Sequence, residues 1–180
     1  MKNHLMTLAL VLAFLPLQLV AQYNPVALEK AEETMDAFKD KDPKFDVYFD
    51  DAYGYAVFPS IGKGAFVLGG AHGAGTAFEQ GKPVGKAKIT QLTIGFQAGG
   101  QAYRQIIFFE SETDMQRFKD NKIEFAAQAS AVAVTEGAST NLAYNDGVAV
   151  FTMTKGGLMY EASLGGQQLT YKPYKRKPRR

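Results

Sequence analysis

The chain has 180 residues, 46% of them hydrophobic, which is enough for one domain with one core, and it contains no cysteine. The absence of cysteine excludes disulfides, thiolate metal sites and a catalytic thiol. Of the formal net charge of +2, the first 21 residues contribute +1 and the last nine contribute +6, which leaves −5 for residues 22–171.

Residues 1–21 have the organisation of a secretory signal peptide. Lys2 precedes an apolar run over residues 5–15, and Leu19-Val-Ala21 provides the small residues typical of a cleavage site. An uncleaved membrane anchor is the alternative. However, Pro16 interrupts a run that is already shorter than the roughly 20 apolar residues of a membrane-spanning helix. We therefore expect export to the periplasm or beyond, with a location that is peripheral to a membrane.

An amphipathic helix is predicted next. Asn24 and Pro25 form a helix start, and apolar residues then recur at helical spacing up to about Asp40. The polar face of this helix is acidic, whereas a membrane-surface helix normally has a basic face, so we expect its apolar stripe to pack on the sheet. Residues 45–49 alternate apolar and polar side chains and are interpreted as a short strand or an irregular lead-in.

The segment from Gly54 to Gly100 contains 12 of the 18 glycines, interleaved with single aromatic and β-branched residues. This spacing indicates short strands with sharp turns and bulges, and so much glycine favours a strongly bent or barrel-like sheet. A turn is predicted at residues 79–83. Five strands are predicted in and just after this segment, at residues 53–58, 65–68, 75–78, 86–96 and 102–109.

Further along the chain, Ser111 is predicted to cap a short helix that ends near Asn121. In residues 123–134 alanines alternate with polar residues; a strand is preferred, although propensity alone would also permit a helix. Three more strands are separated by glycine pairs and are interpreted as a meander, at residues 148–154, 158–164 and 168–171. The predicted fold class is α+β: a mainly antiparallel sheet with an N-terminal helix and one short internal helix, in a single domain over residues 22–171.

Residues 172–180 are predicted to form a basic disordered tail, because two prolines and six like charges oppose regular structure. Two interpretations of this tail remain open. It is an electrostatic tether to anionic lipid head groups, or it is a solvated end that touches only its own acidic body.

No catalytic constellation is recognisable in the sequence. Beyond the leader, His72 is the only histidine, and it is interpreted as a turn residue rather than as a base. The glycine-rich segments match neither a phosphate loop nor a dinucleotide fingerprint, and the acidic residues lack calcium-loop spacing. One histidine is too few for a zinc site of the usual kind. We expect no enzymatic activity, no metal, no cofactor and no nucleic-acid partner.

Five sequence blocks occur in a recognisable order. They are Ala52-Tyr-Gly-Tyr-Ala-Val-Phe-Pro59, Gly64-Ala-Phe-Val-Leu-Gly-Gly70, Ile94-Gly-Phe-Gln-Ala-Gly-Gly100, Met115-Gln-Arg-Phe118, and Val150-Phe151 with Lys155-Gly-Gly-Leu158. Together they resemble the SYLF lipid-binding domain family over residues 27–169. That family is associated with membrane lipids, notably phosphoinositides, and in some eukaryotic members with actin; bacterial members are commonly secreted or periplasmic.

The resemblance implies a non-enzymatic domain that binds anionic lipid at a cell-envelope membrane. The alternative is an envelope scaffold or stress protein that binds another protein through a sheet edge. Aromatic residues of the glycine-rich segment are interpreted as core, with an apolar pocket for acyl chains as the alternative.

Basic residues are the candidate contacts for such a lipid. Lys82, Lys86 and Lys88 form a local cluster beside the glycine-rich sheet. Lys63 and Lys155 lie at predicted turns where a phosphate could approach backbone N–H groups. The tail adds Lys175, Arg176, Lys177, Arg179 and Arg180. The alternative is that lysines at edges and turns keep strands from pairing with other molecules.

Overall fold

A computed structural model describes residues 24–64, 69–93, 102–123, 131–133, 144–154, 157–161 and 167–175. The fold is α+β, as predicted. The described elements follow in the order α1 Pro25–Lys41, α2 Lys44–Asp51, β1 Gly54–Gly64, β2 Gly69–Glu79, β3 Lys82–Thr93, β4 Ala102–Phe109, α3 Glu112–Lys119, β5 Ala131–Ala133, β6 Val148–Thr154, β7 Gly157–Glu161 and β8 Gln167–Pro173. The strands pair antiparallel in the order β5-β7-β6-β4-β1-β2-β3-β8.

Helix α1 forms where the sequence predicts it. The Asn24 side chain accepts a hydrogen bond from the Val26 N–H at 3.2 Å, and Pro25 occupies the first turn. Ala31 and Phe38 are buried, which directs the apolar stripe of the helix to the sheet. Within the described ranges, no helix is both long and apolar enough to cross a membrane.

The prediction of a strand or irregular segment at residues 45–49 is wrong, because this segment lies in α2. The Asp42 carbonyl accepts a hydrogen bond from the Phe45 N–H at 3.0 Å and so begins the first turn. Phe45 and Phe49 are one helical turn apart and share a face that packs on aromatic rings of the sheet. The ring centroids of Phe45 and Phe151 are 4.9 Å apart. Packing of this aromatic face stabilises the helix over the strand.

Strands β1 and β2 are longer than predicted, and β1 includes a bulge. β3 begins at Lys82 rather than at residue 86, and residues 94–96 of the predicted strand lie outside the described residues. The register of β1 against β2 shifts between Val57 and Ser60, and Gly75 lies against this bulge. A Cβ atom at Gly75 would overlap the Val57 carbonyl oxygen, so the close approach requires glycine. The hairpin between β2 and β3 turns through Gln80 and Gly81, at φ 47° and 73°, and is tighter than predicted.

The predicted meander is wrong in its last step. β6 pairs with β7 as expected, but β8 pairs with β3 at the other end of the sheet order. Leu169 lies on the inner face of β8 and is buried in the core, so β8 covers the edge of β3 and satisfies its backbone groups. The predicted strand at 65–68 lies outside the described residues. Of the strand predicted at residues 123–134, residues 131–133 form β5. Residues 124–130 and 134 lie outside the described residues.

The predicted disordered tail begins too early. Lys172 and Pro173 complete β8 by pairing with β3, and the Tyr174 N–H donates to the Val84 carbonyl at 3.1 Å. β3 thus supplies hydrogen-bond partners that residues 172–174 would lack on their own. Pro173 is tolerated because it is the last residue of an edge strand. Residues 176–180 lie outside the described residues.

The sheet is strongly bent, as predicted, so that residues of distant strands meet on its inner face. Gln105 Nε2 on β4 donates to Gln167 Oε1 on β8 at 3.4 Å, although three strands separate β4 from β8 in the sheet order. The sheet order is nevertheless open, with β5 and β8 at its ends. Ile107 belongs to the core inside the bend, which Met115 and Phe118 of α3 close.

The outer face of the sheet is covered over part of its width. Helices α1 and α2 pack there on β1, β4 and β6 through an aromatic cluster that includes Tyr55, Phe108 and Phe151. The outer residues of β3 and β8 are exposed instead, among them Lys86 and Lys172. This exposed part of the sheet is where a ligand can approach.

Candidate functional site

A row of directly opposed residues crosses six strands on the outer face. From β6 to β8 it runs through Phe151, Ile106, Val57, Thr76, Lys86 and Lys172. The first three residues are buried in the aromatic cluster under the helices, Thr76 is also buried, and the two lysines are exposed. Along this single row the outer face therefore changes from apolar to cationic.

Lys86 and Lys172 are cross-strand neighbours, and Lys88 faces Thr170 in the next row of the same face. Directly opposed residues of an antiparallel pair have Cβ atoms about 4.5–5.5 Å apart, so two like charges repel each other there. Within the described part of the chain, none of these three lysines takes part in a salt bridge. Their positive charge is therefore available to an anion.

A cavity of about 830 Å³ lies over these lysines, and we call it the basic groove. Lys86, Lys88, Lys172 and Lys175 line it with four cationic groups, and Asn24 reaches it from the start of α1. None of the described residues that line it is acidic. A groove with this lining attracts anions, and the attraction weakens as salt is added.

A second cavity of about 400 Å³ adjoins the basic groove, and we call it the side recess. The two cavities share four residues, namely Asn24, Lys86, Lys88 and Tyr174. Most of the exposed surface of the recess is apolar. Its remaining walls come from α1, the β1 bulge, β2 and β3: Val26, Ala27, Lys30, Pro59, Ser60, Ala74, Gly75, Thr76 and Ala87. The site as a whole thus has a cationic part and an apolar part.

Helix α1 points its N-terminal end at both cavities. The first turn contains no acidic residue, and the Ala27 and Leu28 N–H groups both donate to the Asn24 carbonyl, at 3.0 and 3.1 Å. The helix dipole adds partial positive charge at this end. It therefore reinforces the field of the lysines.

The structure brings together three of the predicted lipid contacts, Lys86, Lys88 and Lys175, in the basic groove. Lys82 is exposed at the start of β3, next to the hairpin turn. Lys63 lies in β1 opposite Ala71, and its side chain is outside the described residues. The other predicted contacts also lie outside them: Lys155, Arg176, Lys177, Arg179 and Arg180.

Sequence reasoning missed two lysines of the site, Lys172 and Lys30. The alternation of Leu169 and Tyr171 with Thr170 and Lys172 is a strand signal, and it would have placed Lys172 on the outer face. Lys30 carries no such signal, because its place in the side recess depends on how α1 packs on the sheet.

His72 is an exposed residue within β2, paired with Gly62 and Thr90, and not a turn residue as predicted. In the described ranges, no group of three or more His, Asp or Glu side chains is placed to hold a metal ion. The chemistry that this surface offers is cationic and hydrogen-bonding.

Comparison with known proteins identifies the family. Residues 90–174 match the sequence model of the family described as "Ysc84: Las17-binding protein actin regulator", which is the family of the SYLF domain. Residues 90–174 belong to the SYLF family. The resemblance seen in the sequence is thereby confirmed, and the matched part of this SYLF domain includes β8 with Lys172.

A curated relative of this SYLF protein is Beta cell expansion factor A from Aeromonas veronii. The two are 32% identical over 129 residues, which cover 70% of this chain and 48% of the relative. The chain therefore spans about half the length of the curated relative that it matches. The name of the longer protein describes that protein alone.

Proposed function

We propose that this SYLF domain binds anionic lipid head groups at the surface of a cell-envelope membrane, without catalysing a reaction. The observation that carries the proposal is the opposed pair Lys86 and Lys172, in a groove whose described lining contains no acidic residue. A phosphate group between two ammonium groups replaces their repulsion by charge-assisted hydrogen bonds. The same charges that oppose folding therefore favour the bound state.

The number of lysines sets the expected strength of the interaction. Each basic residue near an anionic membrane surface contributes about 1 kcal/mol. The four lysines of the basic groove then contribute about 4 kcal/mol, or about a thousandfold in affinity. This contribution decays over a Debye length of about 8 Å at physiological ionic strength, so binding should be sensitive to salt.

The proposed location rests on the predicted leader at residues 1–21. Export would place the domain where membrane lipid is abundant and cytoskeletal actin is not. Of the two kinds of binding associated with SYLF domains, we therefore assign the lipid-related one to this protein.

Binding of a partner strand at the sheet edge is the alternative that the sequence left open. β8 is the end strand beside the basic groove, and it carries Lys172 and Pro173. Lysine and proline on an edge strand oppose the addition of another strand, proline because it lacks an N–H. These two residues favour a ligand on the exposed face over a strand at this edge.

Co-sedimentation of the purified protein with neutral and with anionic phospholipid vesicles tests the proposal. We expect binding to the anionic vesicles alone, and stronger binding at low salt. The double variant Lys86→Gln and Lys88→Gln should bind about 30-fold more weakly, because two contributions of about 1 kcal/mol are lost.

The matched control is the double variant Lys41→Gln and Lys122→Gln, which removes the same charge from two exposed lysines that do not line the basic groove. Lys41 lies at the far end of α1, about 25 Å from Asn24 at 1.5 Å per residue. This control should bind like the wild type. An equal loss of vesicle binding in both double variants would show that binding depends on net charge and not on the basic groove. Failure of the wild type to bind anionic vesicles would refute the proposal.

A further inference from the structure

The side recess contains a buried hydroxyl group without a hydrogen-bond partner in the described part of the chain. Thr76 is 1% exposed, and its Oγ1 atom is the one concerned. Leaving a buried donor unpaired costs stability, so such a group requires an explanation, and a ligand that accepts its hydrogen bond is one. Thr76 also belongs to the wall of the recess.

Thr76 lies between the cationic and the apolar walls of the site. In the sheet it is directly opposite Lys86 on one side and Val57 on the other. Neighbouring strands are about 4.7–4.9 Å apart, so the hydroxyl is one strand spacing from the lysine and two from Lys172. Across the sheet, the order is two ammonium groups on β8 and β3, a hydroxyl on β2 and then β1, which supplies Pro59 to the apolar wall of the recess.

The apolar wall includes an unusually exposed side chain. Val26 in the first turn of α1 is 55% exposed, and among the large hydrophobic residues of the described ranges only Val47 is comparable, at 51%. Pro59 lines the same cavity, and Ala27 and Ala74 leave space because their side chains are small. Ligand sites are typically apolar with a few converging polar groups, which is the composition found here.

We infer that the basic groove and the side recess together hold one anionic glycerolipid molecule lengthwise. Its phosphate lies between Lys86 and Lys172, an ester carbonyl accepts the hydrogen bond of the Thr76 hydroxyl, and an acyl chain lies along Val26 and Pro59. The order of cations, hydroxyl and apolar wall across the sheet matches the order of phosphate, ester and hydrocarbon along such a lipid. The phosphate contact with the lysines rests on the proposed function. The inference adds to that function a ligand class and a pocket.

Calorimetric titration with a single-chain acyl glycerol phosphate, below the concentration at which it forms micelles, tests this inference. The alkyl-ether analogue of equal chain length keeps the phosphate and the chain but lacks the carbonyl. The wild type should bind the ester about two- to tenfold more tightly than the ether, as expected for one neutral hydrogen bond. Glycerol phosphate has no chain and should bind at least about tenfold more weakly than the ester.

Two variants separate the hydroxyl from the apolar wall. Thr76→Val has a similar volume and removes the unpaired hydroxyl, so it should fold, and its preference for the ester over the ether should vanish. Ala74→Phe fills the recess from an exposed position, so the advantage of the acyl lipid over glycerol phosphate should vanish. Both variants keep the four lysines of the basic groove, so each tests the recess without changing the charge of the site.

Three outcomes would overturn the inference. The first is equal affinity of the wild type for the ester and the ether, and the second is an ester preference that persists in Thr76→Val. The third is binding of glycerol phosphate as tight as that of the acyl lipid, which would make the groove a site for a free phosphate ester. If the wild type binds anionic vesicles but none of the monomers, the inference fails and the proposed function stands; if it binds neither, both fail.

Discussion

Lys86 and Lys172 face each other across the β3–β8 ladder, although they are far apart in the sequence. Opposed like charges weaken strand pairing by about 0.2–1 kcal/mol. β8 forms there because its inner face is apolar: Leu169 is buried, and the Tyr171 ring centroid is 5.5 Å from that of Phe118. Burial of one leucine contributes about 1.5–3 kcal/mol, which outweighs the repulsion.

Lys172→Glu should stabilise the fold and weaken the proposed function. The new carboxylate would pair with Lys86, and we expect the free energy of unfolding to rise by about 0.5–1 kcal/mol in urea titrations. Binding to anionic vesicles should fall sharply in the same variant. Lys172→Gln removes the repulsion without adding attraction and should be intermediate in stability. A loss of stability in the Glu variant would show that Lys172 supports the fold.

Gly75→Ala should destabilise the fold by about 1–3 kcal/mol, because the added Cβ would overlap the Val57 carbonyl at the β1 bulge. Gly62→Ala is the matched control, since no atom of the described residues lies within 4 Å of its added Cβ. The control should stay within about 0.5 kcal/mol of the wild type in thermal unfolding. Similar losses in both variants would contradict the close approach at Gly75.

Phe45→Ala and Val47→Ala together test the helical assignment of α2. Phe45 is buried among the aromatic rings, so its truncation should cost about 3–5 kcal/mol. Val47 is 51% exposed and should contribute less than about 0.5 kcal/mol. In a strand, residues two apart would lie on the same face and respond alike. Equal losses in denaturant unfolding would therefore argue against the helix.

Tyr144→Phe should change the response of the protein to alkaline pH. Burial is the main cause that raises the Tyr144 pKa, with Glu110 adding to it, and in the described part of the chain its hydroxyl has no hydrogen-bond partner. When the pKa of a tyrosine is higher in the folded than in the unfolded protein, its contribution to the free energy of unfolding is fully present below about pH 10, where the unfolded side chain is neutral. Above that pH the unfolded side chain ionises first, and this contribution is lost as the pH rises.

The Phe variant lacks this ionisation, so its stability should fall less than that of the wild type between about pH 10 and pH 11. At neutral pH it should be more stable by about 1 kcal/mol, because an unpaired buried hydroxyl is removed. Urea unfolding at both pH values measures the two effects. An unchanged alkaline slope would show that Tyr144 is accessible in the folded protein.

Elements with local signals could be predicted from the sequence. α1 and α3 have their capping residues next to them in the chain, Asn24 and Ser111, and both side chains make the expected capping bonds. The α2 segment was misread because Phe45 and Phe49 fit the period of a strand as well as one turn of a helix. The choice is made by aromatic rings on β4 and β6, which are distant in the sequence.

By itself the sequence determined the start and approximate end of α1 and α3 and the apolar strands β4 and β6. It also determined the shared face of Lys86 and Lys88, which are two residues apart on one strand. Only the tertiary structure decided that β8 leaves the predicted meander, that Lys172 lies opposite Lys86, and that Thr76 separates these lysines from the helices. The physical reason is that strand pairing depends on which apolar faces are buried together. Burial of this kind joins distant segments and leaves no local pattern in the chain.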